Sequence, residues 1–390
     1  MQSRRLKEKM HNYYLLSEEE KDLQMMVRDF MQNEIAPIIG ECDEKGEMPK
    51  EIIDKAIAMG LHCMNIPEEY GGMGLTARQM SVIREEMGKV DAGFSVTMGN
   101  NCLGSSPTMI FGTEEQKRHL AEIVVPGGFC PFCLTEPEAG SDATAIRTTA
   151  VKDGNSFILN GRKCFITNGD RGDIYTVFAY TDKEKGPNHG MSCFQVERSL
   201  PGISVGKHEN KMGLRTNSTC DVVFDDVRVP AKNMLGNEGE GYQVAMKTLE
   251  RSRPLGSATA VGMCQAVIDH CIEYANQRIV FKKPLAAKQA IKFMVADMEI
   301  QTQAARQLAM YASTLIDQGI YDGELGSCVK AFCSDTAMRV TTDGVQLFGG
   351  YGYMKDYPME KFMRDAKLFQ IFEGTNQIQR VVISGHLFKH

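Results

Sequence analysis

The feature that most constrains the fold is a double change of hydrophobic period along the chain. From about residue 17 to 127 apolar residues recur at helical spacing. From about 129 to 235 they gather in short runs, and from about 241 onward helical spacing returns. Regular short strands without intervening helices build a small barrel or sandwich rather than a parallel α/β sheet. The expectation is an α+β protein with an N-terminal helical domain (1–128), a central β-barrel-like domain (129–240) and a C-terminal helical bundle domain (241–390). Glycine-containing seams at Pro126-Gly127-Gly128 and Gly236 to Gly241 separate them. A chain of 390 residues is long enough for each part to hold a core.

Local signals refine this frame. Ser17 with Glu20 predicts a capping box, and Leu23, Met26, Val27, Phe30 and Met31 share the face of the helix that follows, ended by Pro37. A second helix fits Lys50 to Met59, stopped by Gly60, and Thr76 can cap a third running to about Met87. Asn160-Gly161 between two apolar runs predicts a hairpin with a type I′ turn. "IYTVFAYT", "MSCFQVE" and "CDVVFDDVRVP" read as further strands. "AIKFMVADMEIQTQAARQLAMYASTLI" reads as a long amphipathic helix suited to a bundle.

Net charge is -6, and no basic stripe alternates with aromatics, which argues against nucleic acid as a partner. Arg4, Arg5, Lys7 and Lys9 form a short basic start without an apolar run behind it. No signal or transit sequence is read there, nor any membrane span. A cytoplasmic location is expected, with a processed mitochondrial matrix form as the alternative. The twelve cysteines are scattered, which fits reduced thiols better than a disulfide framework.

Cys130-Pro131-Phe132-Cys133 is a C-x-x-C pair. A redox dithiol would open a helix, but Pro137 and Gly140 follow closely. A structural zinc site needs two further ligands at close spacing, and no second C-x-x-C exists. Buried, inert cysteines on a strand are the better reading, and no metal is expected. The loop behind them, "TEPEAGSD", offers Thr135, Ser141 and the Gly140 backbone. It suits an anion or a heteroaromatic edge, or an ordinary surface turn.

"LTEPEAGSD", "FITNG", "RIVFKKPLAAKQAI", "DGVQLFGGYGY" and "FEGTNQIQR" stand in the order found in acyl-CoA dehydrogenases, and the chain resembles the straight-chain branch of that family from about Leu16 to Leu387. The resemblance implies a C-terminal bundle of four helices and FAD as cofactor. By it, Phe132, Leu134 and Thr135 lie along the isoalloxazine, Gly140 and Ser141 lie near the phosphates and the CoA arm, and Phe165 and Thr167 flank the ring. Arg278 and Phe281 match contacts to the pyrophosphate and adenine made from a neighbouring subunit. Gln289, Gln346 and Gly350 match positions on the same dinucleotide, and Thr375 and Gln377 are carried over with them. Two positions depart from the family: Lys282 stands where glycine is usual, and Phe165 where tryptophan is common. The homotetramer usual in the family is implied as well.

The resemblance makes Glu373 the catalytic base. The local sequence agrees, because Gly374 permits a sharp turn, Thr375 or Asn376 can cap, and a helix follows. In the family mechanism the thioester oxygen is polarised by the main-chain N–H of the base and a ribityl hydroxyl. The α-proton then goes to the carboxylate while hydride leaves Cβ for the flavin. Some relatives place the base on the preceding helix, where this chain has Ser252, which cannot serve. Glu250 should face elsewhere. The acyl pocket is expected to involve residues 92–101, with Met98, and Arg253, Phe372, Gly374 and Ser141. Lys and Arg are absent from 92–101. The glutaryl-CoA branch of the family has an arginine there for the distal carboxylate, so the resemblance disfavours a dicarboxylyl substrate, and Phe94, Val96, Thr97 and Met98 suggest an apolar acyl group. The implied electron acceptor is an electron-transferring flavoprotein. Alternatives are the reverse reaction as an enoyl-CoA reductase, an oxidase, or a non-catalytic acyl-CoA-binding member of the fold.

Overall fold

The protein is described by a computed structural model over residues 16–388. The basic stretch carrying Arg4, Arg5, Lys7 and Lys9 lies outside these residues. The first element of the described residues is α1 (Glu18–Phe30), whose start is held as the sequence predicts. Ser17 Oγ accepts from the Glu20 amide, and Glu20 Oε2 accepts from the Ser17 amide at 2.8 Å. A π turn at Met31–Ile35 carries it towards Pro37. There follow α2 (Ile39–Lys45), α3 (Lys50–Ala58) and α4 (Ala77–Gly88). Gly60 (φ +76°) ends the third helical stretch in a conformation that glycine adopts freely. The first amides of α4 donate to the Asp317 carboxylate. Two helices complete this region, α5 (Ala92–Phe111) and α6 (Glu114–Val124). The sequence reading left both unassigned. α5 is apolar on most sides, so it shows no amphipathic period.

The β region holds β1 (Phe132–Cys133), β2 (Thr149–Asp153), β3 (Ser156–Thr167), β4 (Ile174–Tyr180), β5 (Met191–Glu197), β6 (Ile203–Val205), β7 (Thr219–Pro230) and β8 (Met234–Leu235). They form one sheet in the order β6-β7-β3-β2-β4-β5-β8, with β1 beside β4. Most pairs are antiparallel, and β1 and β2 run parallel to β4. β4 is buried along its whole length. Tyr175, Val177 and Ala179 enter one apolar cluster, and Phe178 and Tyr180 enter the other. The hairpin expected at Asn160-Gly161 is not there. β3 runs straight through both residues, and the turn lies at Gly154-Asn155, with Asp153 opposite Ser156. Asn160-Gly161 instead sits at a register shift against β7, a bulge across which the Asn160 side chain bonds Asp226. A side chain at 161 would meet Thr148 Oγ1 at 2.2 Å, so glycine is there for close approach.

The C-terminal part contains α7 (Gly241–Gln277), a small hairpin of β9 (Ile279–Val280) and β10 (Lys283–Pro284), then α8 (Gln289–Asp317), α9 (Gly323–Phe348), α10 (Met359–Phe369) and α11 (Asn376–Leu387). Compact packing cuts across the linear order. One unit comprises residues 16–40, Ala77–Ala92 and Pro254–Gln370. In it, small side chains at Val261, Ala305, Ala309, Ala312 and Val329 bring helices close. Buried ions are paired: Arg306 donates to Glu85 and to Gln265, and Lys361 Nζ lies 2.5 Å from Asp91 Oδ1 and 2.6 Å from Asp365 Oδ2. The other unit comprises Glu41–Thr76, Gly93–Arg253 and residues 371–388. It holds the sheet, α5, the start of α7 and α11. Among the described residues no helix is long and apolar enough to cross a membrane.

Candidate active site

Within the sheet-bearing unit, Glu373 and Gly374 form a turn with φ of +54° and +87°. Left-handed backbone is strained for glutamate, at a cost of order 1–2 kcal/mol. Neighbours hold it there. Gln379 Nε2 donates to the carbonyls of Gly374 (2.8 Å) and Glu373 (3.1 Å), and Arg253 Nε reaches the Glu373 carbonyl at 3.4 Å. Thr375 caps α11 by accepting from the Ile378 amide. The half-buried Glu373 carboxylate thus stands just before a helix N-terminus, where free amides favour negative charge. Its Oε2 accepts from Ser252 Oγ at 2.8 Å, so the two positions considered for a base lie side by side. Phe372 precedes the turn and is half-buried, and Gln377 is exposed on the first turn of α11.

The "TEPEAGSD" loop is pinned from beneath. Lys163, fully buried on β3, donates to Glu136 Oε1 (2.7 Å) and to the Leu134 carbonyl (3.2 Å). Glu136 also accepts from the amides of Arg147 and Thr148 and from the Thr148 hydroxyl. Burial raises the pKa of this carboxyl, but the Lys163 charge and these bonds outweigh it and hold it below its ordinary value. The Thr135 carbonyl accepts from the Cys164 amide. Leu134 is buried, Thr135 half-buried, and Gly140 and Ser141 exposed, with open space where a Gly140 side chain would go. Phe132 is half-buried with its ring 4.9 Å from Phe178. Phe165 projects from β3 at φ +57° and is 64% exposed. The Thr167 carbonyl accepts from Asn100, and Asn168 donates to the Thr97 carbonyl, joining β3 to the start of α5. Met98 is buried on α5.

Cys130 and Cys133 are free and buried. Burial pushes the Cys130 thiol up to about 12 against a weaker pull from Thr176, and it pushes Cys133 up as well. Such thiols are poor nucleophiles, as the sequence reading expects.

The remaining candidates lie in the helical unit. Phe281 and Lys282 are the central residues of the β9–β10 hairpin, with φ of +50° and +64°, the dihedral signs of a type I′ turn. Lys282 thus keeps the left-handed conformation that glycine, the usual family residue, adopts without strain. Phe281 is 86% exposed. The Arg278 guanidinium lies 5.5 Å from the centre of the exposed Tyr351 ring. Gln289 opens α8 and Gln346 lies in the last turn of α9, both exposed, and Gly350 follows, also exposed. Phe165 and Phe281 both suit a flavin dinucleotide. Each sets an exposed aromatic ring on strained backbone, which packing does not explain and stacking on a planar heterocycle would.

Three family models match the chain: the acyl-CoA dehydrogenase N-terminal domain over residues 17–127, the middle domain over 131–227 and the C-terminal domain over 239–388. The chain belongs to the acyl-CoA dehydrogenase family. It is 42% identical to an acyl-CoA dehydrogenase of Bacillus subtilis, over 95% of this chain and 98% of that one. It is 43% identical to a short-chain specific acyl-CoA dehydrogenase of Megasphaera elsdenii, over 96% and 99%. Among solved structures, butyryl-CoA dehydrogenase from Megasphaera elsdenii superposes with a TM-score of 0.93 at 42% identity, covering 96% of this chain and 100% of that one. A chain from work on the electron transferring flavoprotein of Acidaminococcus fermentans and flavin-based electron bifurcation gives 0.94 at 43%, covering 97% and 100%. The α–β–α organisation is that of the family, and the protein is an acyl-CoA dehydrogenase-type oxidoreductase of acyl-CoA metabolism.

Against this family background, Lys163 and Gln379 are what the sequence reading missed. Lys163 carried only a faint signal, because it directly follows a second cation, Arg162, on the same strand. Gln379 carried a weaker one, a polar side chain one helical turn past a capped glycine turn.

Proposed function

We propose that the chain converts an acyl-CoA thioester to the 2-enoyl-CoA with Glu373 as base and FAD as cofactor. The observation that carries this reading is the strained Glu373–Gly374 turn, clamped by Arg253 and Gln379 so that one carboxylate is presented at a helix N-terminus. The Glu373 carboxylate takes the α-proton of the thioester. Its main-chain N–H donates to the thioester oxygen, on which negative charge develops as the α-proton departs. Bound FAD supplies the acceptor for the hydride leaving Cβ, so the two carbons end joined by a double bond. Phe132, Leu134, Thr135, Phe165 and Thr167 hold the ring, with Thr375 and Gln377 close by. Gly140 and Ser141 bind phosphate and the CoA arm. Arg278, Phe281, Gln289, Gln346 and Gly350 receive the adenine end of a neighbouring copy's dinucleotide, Arg278 through a fork suited to phosphate. A homotetramer, divided in each chain into domains 1–128, 129–240 and 241–390 and located in the cytoplasm, belongs to this reading.

For the substrate, Met98, Arg253, Phe372 and Gly374 line a pocket for an apolar acyl group. The short-chain specific relative and the likeness to butyryl-CoA dehydrogenase support a short one. An electron-transferring flavoprotein takes the electrons, supported by the chain from the Acidaminococcus fermentans work. That same likeness, through its link to electron bifurcation, sustains enoyl-CoA reduction as the second reading. Anaerobic mixing of the purified flavoprotein with thioesters of rising chain length tests the proposal. The account expects bleaching of the flavin band, fastest with short acyl groups. A yellow protein that no acyl-CoA bleaches would overturn it.

A further inference from the structure

Ser252 lies on α7, one residue before Arg253 and two before Pro254. Its Oγ has two acceptors in reach, Glu373 Oε2 at 2.8 Å and the Leu249 carbonyl of its own helix at 3.2 Å. A hydroxyl has one proton to donate, so it serves one acceptor at a time. Bonding to a carbonyl one turn back is an ordinary resting place for a helical serine. Ser252 donates to the Glu373 carboxylate, while Arg253 Nε and Gln379 Nε2 donate to the Glu373 main-chain carbonyl. The Arg253 guanidinium beside Ser252 feels the charges of both Glu373 and Glu250.

We propose that Ser252 is a positioning residue that holds the Glu373 carboxylate in the substrate-free enzyme and releases it to the thioester by turning its hydroxyl to the Leu249 carbonyl. This rests on Glu373 being the base. A carboxylate that accepts a hydrogen bond is aimed but is a weaker base. When the acyl chain fills the cleft and excludes water, the base must be free to take a proton. Turning towards Leu249 gives that freedom without leaving the hydroxyl unpaired, so the release carries little penalty. Serine at 252 thus does a different job from the glutamate some relatives carry there: it restrains the base on the other segment.

The test compares wild type, Ser252→Ala and Ser252→Thr as holoenzymes. The pH profile of kcat/KM reports groups of the free enzyme, and that of kcat reports groups of the substrate complex. Loss of a hydrogen bond to a charged group should move the acid limb of kcat/KM up by about one pH unit in Ser252→Ala, while the acid limb of kcat stays in place. Ser252→Thr should restore the wild-type profile. Isotope-edited infrared titration of the Glu373 carboxylate band, with Glu373→Gln as the blank, should show the same rise in the substrate-free protein. Limbs that move together, limbs that both stay, or a threonine variant that behaves like alanine would overturn the proposal. Retained turnover in Glu373→Gln would instead sink the reading of Glu373 as base, leaving the infrared shift of Ser252→Ala intact.

Discussion

Lys163 reaches the candidate flavin loop from a fully buried position on β3, and its Nζ meets Glu136 at 2.7 Å. Removing one partner of such a pair strands the other, so Lys163→Met should cost about 3–5 kcal/mol in denaturant unfolding. The same pair gives a pH signature. The Glu136 pKa is held below 4.5, so its contribution to stability is present above that pH and is lost as pH falls through the lowered value. The urea midpoint of wild type should fall over that range, and Lys163→Met should flatten the fall. An equal slope in both proteins would place the acid sensitivity elsewhere. At this scale the sequence was informative where chemistry is local. The E-G-T-N run marks a turn, a cap and a carboxylate together. By contrast, the partner of Lys163 stands 27 residues away, and the contact of Ser252 to Glu373 arises only in the folded chain.

Between elements, α5 packs its backbone directly on the chain before β1. A Cβ at Gly104 would stand 1.6 Å from the Cys130 carbonyl, whereas one at Gly140 meets nothing within 4 Å. Gly104→Val should therefore lower the melting temperature sharply, because neither backbone can yield, while Gly140→Val should leave it nearly unchanged. Equal melting temperatures for the two variants would contradict this packing. Cys130 is buried in the apolar cluster of Ile66, Leu120 and Ile174, and Cys133 in that of the sheet with Tyr175 and Val177. Strand runs with clear alternation were legible, as was the long amphipathic α8. Asn160-Gly161 was misread because a bulge and a type I′ turn draw on the same residues: both use glycine where a side chain would clash. The true turn at Asp153-Gly154-Asn155 carried a signal of similar strength. The opposite case is the Phe281-Lys282 turn, which no propensity favours, so only the resemblance drew notice to it.

For the whole molecule, the compact units join α1 and α4 with most of α7 and with α8, α9 and α10, and join α5, α6 and α11 with the sheet. Periodicity reveals the α–β–α order but not this interleaving, since it depends on contacts between segments far apart in the chain. If Arg278 serves a neighbouring copy, oligomers mixing Glu373→Gln and Arg278→Ala subunits should contain some complete sites. Random mixing in dimers would restore about one quarter of wild-type activity, although each parent alone is nearly inactive. Mixtures no more active than the parents would place Arg278 at its own subunit's site. Whether Glu373 takes the α-proton is decided by anaerobic single-turnover mixing with butyryl-CoA. Glu373→Gln should retain its FAD and bleach slower than wild type by a factor on the order of 10²–10⁴. Bleaching at the wild-type rate would contradict the account.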